Sequence, residues 1–263
     1  MNIYKIPKND LKFNTPSFSN LTIEEIINNI FCIGEKRLGF GGFHPTRSMS
    51  YMMRIKNNDV IQLLHLINEY YKIEKDDYVL YPYMFNFSIH GNKKNIITSN
   101  WFSGMGQGFA LIAYTRFNDK SISEKILNSF ESSEITKKTQ YGYHYMEYPN
   151  HCDALNGHIF SLYGLYEYWH KYQCKKAKRL LIEGIRWVKH ILYKYRNVGG
   201  PSFYCTDHKI LCNKVDGKYH KVHIEQLNYL GLITKDDWFN KQVNLFKKDF
   251  PVSGDVIVLS NEK

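Results

Sequence analysis

A mainly α-helical domain, arranged as an (α/α) toroid or bundle with short strands or extended aromatic loops between its helices, is the fold the sequence predicts. Beyond Asn57 apolar residues recur every three or four positions, the spacing of a helix with one buried face. Short aromatic segments punctuate these runs, and 263 residues at 43% hydrophobic are enough to bury a core.

Residues 1–56 read as irregular, with Pro7, Pro16, Pro45 and the glycines of Gly39-Phe40-Gly41-Gly42, apart from one short helix opening at the capping box Thr22-Ile23-Glu24-Glu25. Val60, Leu63, Leu64, Ile67 and Tyr71 then share a helix face. Two helices follow over about 103–117 and 121–130, the second opening with Ser121-Ile122-Ser123-Glu124. Leu155, Ile159, Leu162, Tyr166 and Trp169 make another face, and Leu181, Ile185, Val188, Leu192 and Tyr195 the next. The last helices fall at about 219–230 and 234–248, the latter opening at Thr234-Lys235-Asp236-Asp237. Tyr78–Ile89 and Tyr141–Pro149 read as strands or extended loops. After Pro251, Val256–Leu259 reads as an edge strand or a frayed end. The expected organisation is an irregular segment 1–56, a helical domain 57–250 and a tail 251–263.

The net charge of +10 points to a polyanionic or acidic partner. Aromatics at 16%, with 21 Tyr and 16 Phe, suit stacking against sugar rings or bases. Lys and Arg are scattered and no nucleic-acid module is present, so no nucleic acid is expected. No run of about 18 apolar residues and no leader-like start occur, so a soluble, cytoplasmic chain is expected, with no membrane span. Five cysteines without a C-x-x-C pair argue for a reducing compartment. Cys205 and Cys212 with His208, His220 and His223 come nearest to a ligand set, but the spacing matches no zinc motif and no metal is expected.

Three segments carry possible chemistry. Asn100-Trp101-Phe102-Ser103-Gly104-Met105-Gly106-Gln107-Gly108 puts alternating glycines at a helix start. It lacks the spacing of a dinucleotide or Walker loop, which leaves close helix approach or a carboxylate-binding turn. Tyr143-His144-Tyr145-Met146-Glu147-Tyr148-Pro149 is the densest group of ionisable aromatics, read as a displayed segment or as the cover of a core. The third runs from Phe203-Tyr204-Cys205-Thr206-Asp207-His208 to Tyr219-His220-Lys221-Val222-His223-Ile224-Glu225-Gln226-Leu227. It places a phenol at a helix threshold, where cationic neighbours would favour ionisation.

These residues resemble a known family. Trp101–Gly108 looks like the S-G/A-M-A-Q-G segment of the D-glucuronyl C5-epimerases that modify heparan sulfate and heparosan. Glu147-Tyr148-Pro149 and Leu155-Asn156-Gly157 through Ser161-Leu162-Tyr163-Gly164-Leu165-Tyr166 are similar to their E-Y-P and L-N-G-x-x-x-S-L-x-G-L-Y motifs, and Tyr219–Leu227 to their Y-H-x-x-H-I-x-Q-L. All stand in the family's order. The resemblance implies an (α/α) toroid as catalytic domain over 57–250 and cofactor-independent C5-epimerisation of uronic-acid residues in a glycosaminoglycan-like polysaccharide. It also implies Glu147 and Tyr219 as acid/base pair, with Tyr148 and Tyr204 also catalytic. Trp101, Gln107, Asn156, His208, His220 and His223 are the expected substrate-binding residues, with Lys221 and the Gly104–Gly108 N–H groups as further candidates. The glycan is expected between the 147–156 and 204–223 segments, with room for one sugar ring between Glu147 and Tyr219. Two departures stand out: Asp207 stands where the family has an arginine, and the chain is expected to lack the β-rich N-terminal domains with their dimer contacts and calcium site. Calcium is not carried over, and a homodimer is left open. A polysaccharide lyase and a non-catalytic glycan-binding member are the alternative functions.

Overall fold

The computed structural model describes residues 1–6, 42–53, 59–91, 94–207 and 217–251. Among them are eight α-helices and three two-stranded antiparallel hairpins, so the chain is mainly helical. The helices are α1 (Pro45–Met52), α2 (Asp59–Tyr71), α3 (Gly104–Arg116), α4 (Lys120–Ser129), α5 (Leu155–Tyr172), α6 (Lys175–Ile191), α7 (Gly217–Thr234) and α8 (Asp237–Asp249). The hairpins pair β1 (Ile73–Glu74) with β2 (Val79–Leu80), β3 (Phe87–Ser88) with β4 (Ile96–Ile97), and β5 (Thr136–Thr139) with β6 (Gly142–Tyr145). Both aromatic segments thus contain short strands. The capping box at Thr22, the glycines at 39 and 41, His208, Cys212 and the tail strand at 256–259 lie outside the described residues.

Helix α3 is the centre, packed by α1, α4 and α5. All its residues except Met105 and Arg116 are buried, as in a helix apolar on every side. Glycines serve close approach at its contact with α5: a Cβ at Gly108 of α3 would sit 2.8 Å from Ser161 Cα, and one at Gly164 of α5 2.5 Å from Gly108 O. Helix α5 then pairs with α6, and α7 with α8.

Several helix starts differ from the expected ones. Helix α1 falls in the stretch read as irregular, because His44 Nδ1 accepts from Arg47 N and Pro45 occupies the first turn, where its missing N–H costs nothing. Asp119, not Ser121, caps α4 by accepting from Ile122 N, and Asp236, not Thr234, caps α8 by accepting from Trp238 N. The Thr234 hydroxyl instead donates to Leu230 O at the end of α7. In both cases an aspartate carboxylate outcompetes a hydroxyl nearby as the charged acceptor for first-turn N–H groups. No helix among the described residues is long and apolar enough to cross a membrane.

Candidate functional site

The segment after β6 is threaded between two helix starts. Gly104 N donates to Met146 O at 2.7 Å, Met146 N to Ile135 O at 2.8 Å and Tyr145 N to His158 Nδ1 at 3.0 Å. Those bonds fix the backbone from 145 to 146 and direct Glu147 onto the first turn of α5. A Cβ on Gly157 would lie 2.1 Å from Glu147 Oε2 and 2.6 Å from its Cβ, so only glycine leaves the carboxylate its place. That place is at a helix N-terminus, where the backbone dipole favours a negative charge.

A second extended stretch brings Tyr204 alongside. Phe203 N donates to Tyr195 O, Thr206 N to Asp153 O, and Cys205 forms an isolated bridge with Ala154. Tyr204 Oη donates to Glu147 Oε1 at 3.0 Å and lies 3.1 Å from Tyr148 Oη. Tyr219, in the first turn of α7, meets the Tyr204 ring edge-on with centroids 4.5 Å apart. The four residues expected to be catalytic, Glu147, Tyr148, Tyr204 and Tyr219, therefore form one cluster.

The space expected between Glu147 and Tyr219 is filled by the Tyr204 side chain, which bonds one and packs against the other. Glu147, Tyr148 and Tyr204 are all buried. Burial pushes the Tyr148 and Tyr204 phenols well above the usual range and the neighbouring Glu147 carboxylate pushes the same way, so both are protonated at neutral pH. They are hydrogen-bond donors and acids, not phenolate bases.

Phe87 stacks on Tyr148 at 5.6 Å, and Trp101, stacked on Tyr83 at 3.9 Å, lies 6.0 Å from Tyr148. The β3–β4 hairpin that supplies Phe87 carries no sequence motif, so sequence reasoning missed it. His90, following β3, meets the Tyr204 ring edge-on at 5.2 Å. It was missed for the same reason.

Three expectations need correction, and a fourth, His223, in its charge alone. Gln107 is a structural residue: its Nε2 donates to Val79 O at 2.8 Å and Ser129 Oγ at 2.9 Å while its Oε1 accepts from Tyr81 N at 3.0 Å, so it ties α3 to β2 and α4. The α3 N–H groups do not form a carboxylate-binding turn, because Ser103 Oγ accepts from Met105 and Gly106, Met146 O from Gly104 and Ser103 O from Gln107. His220 faces the end of α8, with Nδ1 accepting from Ser202 N and Nε2 at 3.1 Å from Phe246 O and 3.0 Å from Phe250 O. Burial lowers its pKa, so it is not the cation expected beside Tyr219. His223 is held to about 3, chiefly by burial and next by His220, and its Nδ1 lies 2.8 Å from Ser202 Oγ. It too is neutral.

Asn156 stays close to the cluster. It precedes Gly157 in the first turn of α5, and Gln226 Nε2 donates to its backbone oxygen at 3.0 Å. Its Oδ1, Gln226 Oε1 and His223 Nε2 are buried polar atoms without a hydrogen-bond partner, a pattern that fits a polar ligand or ordered water nearby. Gln226 is a further candidate that the sequence reading did not select, though Tyr219, His223 and Gln226 at i, i+4 and i+7 share one face of α7.

Of the other histidines in the aromatic segments, His144 is buried against Trp187, with ring centroids 4.2 Å apart. Its Nδ1 approaches Asp153 Oδ1 at 3.2 Å, but burial holds the ring neutral, so the contact is not an ion pair. His144 and Tyr145 thus cover a core while Glu147 and Tyr148 turn into the cluster.

Residues 75–248, well over half of the chain, match a family model described as D-glucuronyl C5-epimerase C-terminus. No curated protein matches the chain.

Proposed function

From the premise that the chain belongs to the D-glucuronyl C5-epimerase family, through the C-terminal domain matched by residues 75–248, we propose that it inverts C5 of uronic-acid residues in an anionic polysaccharide. The proposal includes the (α/α) toroid as the arrangement of its helices and 57–250 as the catalytic unit. The observation that carries it is the contiguous cluster of one carboxylate and three phenols, joined by the Tyr204–Glu147 and Tyr204–Tyr148 hydrogen bonds and the Tyr204–Tyr219 ring contact. C5 inversion removes a weakly acidic proton α to a carboxylate and returns one to the opposite face, which takes two acid/base groups and a set of donors for the enolate-like intermediate.

In this reading Glu147 takes the C5 proton, the Tyr148 and Tyr204 hydroxyls donate to the oxygens of the sugar carboxylate as charge moves onto them, and Tyr219 returns a proton from the other face. Tyr204 leaves its present place between Glu147 and Tyr219 when the sugar ring enters. One turnover leaves Glu147 protonated and Tyr219 ionised. Glu147 then gives its proton up to solvent and Tyr219 takes one from solvent, so solvent hydrogen appears at C5. The net charge of +10 supports an anionic polymer as substrate. The test is incubation with a panel of uronate polymers in heavy water, followed by NMR of C5 and by ultraviolet absorbance. Deuterium at C5 with an inverted centre supports epimerisation. An unsaturated product identifies a lyase, and neither signal with any polymer in the panel overturns the catalytic reading.

A further inference from the structure

We propose that His90, Cys152 and Cys205 form a binding site for a thiophilic divalent cation of the zinc class, set beside the rings of Tyr148 and Tyr204. The ligand atoms of the three side chains all lie within 4.8 Å of one another, with His90 Nε2 3.1 Å from Cys152 Sγ. A tetrahedral ion at about 2.3 Å from sulfur and about 2.0 Å from nitrogen holds its ligands roughly 3.5–3.8 Å apart. Small side-chain rotations therefore close the trio around one ion.

The donor set decides the class of ion. Two thiolates and an imidazole select zinc and its neighbours over calcium or magnesium, which take oxygen ligands. Both cysteines are buried, and two thiolates cancel the dipositive charge, which an interior position requires. Binding breaks two S–H bonds, forms two metal–sulfur bonds and one metal–nitrogen bond, and releases two protons to solvent without any change of oxidation state. Three protein ligands leave a fourth position for water.

The placement gives the ion a task. His90 follows β3, Cys152 follows the Glu147-Tyr148-Pro149 segment, and Cys205 adjoins Tyr204, so one ion joins the three segments that carry the aromatic cluster. The His90 ring packs edge-on to Tyr204 at 5.2 Å and to Tyr148 at 6.2 Å. Its backbone is left-handed, with φ 53° and ψ 25°, a conformation that non-glycine residues rarely adopt and that is retained where the surroundings impose it. The cysteine spacing hides the trio from sequence reading, since Cys152 and Cys205 stand 53 positions apart and the histidine comes from a third segment.

Cobalt(II) chloride is the probe. The full chain, reduced and freed of metal, is titrated anaerobically and followed by absorbance. One equivalent is expected, with thiolate-to-cobalt charge transfer in the near ultraviolet and the visible bands of a four-coordinate ion, displaced by one equivalent of zinc. Cys152→Ser and Cys205→Ser should each weaken binding at least a hundredfold, and His90→Asn, which tolerates the left-handed backbone, at least tenfold. Cys174→Ser, which alters a cysteine outside the trio, should leave it unchanged. X-ray absorption of the zinc-loaded wild type, which depends on no variant, should show two sulfur ligands at about 2.3 Å and nitrogen or oxygen at about 2.0 Å. No cobalt uptake by the reduced chain, an absorption spectrum without sulfur, or unchanged binding in both cysteine variants would overturn the site. A Cys152–Cys205 disulfide in a chain that binds no metal once reduced would assign the pair to redox chemistry instead.

Discussion

Gly157→Ala adds one methyl group where the Glu147 carboxylate now lies. The new Cβ would stand 2.1 Å from Glu147 Oε2 and 2.7 Å from its Cδ, far inside van der Waals contact, and backbone holds it rigid, so the carboxylate must move. Alanine in place of glycine favours the helix by about 1 kcal/mol. Against that, overpacking costs about 1–3 kcal/mol, and loss of the Tyr204–Glu147 bond, with a charged acceptor, about 1.5–3 kcal/mol. The net is a destabilisation of roughly 3 kcal/mol, or about 6–12 °C in melting temperature for a domain of this size. Displacement of a proton-transferring group by about 1 Å costs about a hundredfold in rate. Gly164→Ala is the comparison: its Cβ would meet Gly108 O at 2.5 Å, at the α3–α5 contact and not against Glu147. Thermal melts with deuterium exchange at C5, corrected for the folded fraction, should show both variants destabilised but only Gly157→Ala depleted in activity per folded molecule. Wild-type exchange in folded Gly157→Ala would refute Glu147 as the group that touches C5.

Tyr219→Phe keeps the ring edge against Tyr204 but removes the hydroxyl, so inversion at C5 should fall about a hundredfold or more with folding retained; near-wild-type inversion moves the proton return elsewhere. Gln107→Leu strands Tyr81 N and Val79 O, at about 1–3 kcal/mol for each group left buried and unpaired, while Ser129 Oγ keeps its bond to Ile126 O; it should lower the denaturation midpoint while activity per folded molecule persists, and a variant as stable as wild type would contradict the structural role. His158 and His223 are held to about 3 by burial against an ordinary value near 6.5, so the stability of their neutral forms is complete above about pH 6.5 and is lost as pH falls toward 3. Urea melts at pH 7, 6 and 5 should show stability dropping by up to roughly 3 kcal/mol per unit near pH 5, and an unchanged midpoint would sink that assignment.

Helices were legible where one face is apolar. Val60 to Tyr71 and Leu155 to Trp169 fall in α2 and α5 because burial on one side leaves a period that sequence records. Caps were less legible, since several polar residues at a helix entrance can serve and spacing alone does not say which carboxylate reaches the first-turn N–H groups; Asp119 and Asp236 took places assigned to Ser121 and Thr234. In the cluster, motif order brought Glu147, Tyr148, Tyr204 and Tyr219 together on paper, and their hydrogen bonds and ring contact do so in space. Burial was not legible. Gln107 and His220 have the residue types of binding groups, yet their polar atoms are consumed by backbone and side-chain partners that lie 18 to 30 positions away in sequence. Such long-range partners leave no local trace.

For the proposed reaction, the same burial changes which groups would stabilise a developing negative charge. Sequence placed cationic histidines beside Tyr219, which would make an imidazolium the partner of the sugar carboxylate and would tie activity to histidine titration. His220 and His223 are neutral, and the groups bonded within the cluster are phenols held in their protonated state. Neutral donors in a water-poor site act on charge as it develops, and they do not need to be desolvated as ions first. In the proposed reaction the chemistry then rests on Glu147 as the base and on hydroxyls that keep their protons well past neutrality. Removing an imidazole at 220 or 223 should accordingly act through folding, because each ring anchors Ser202 beneath the Tyr204 segment, and not through loss of a positive charge at the reacting carbon.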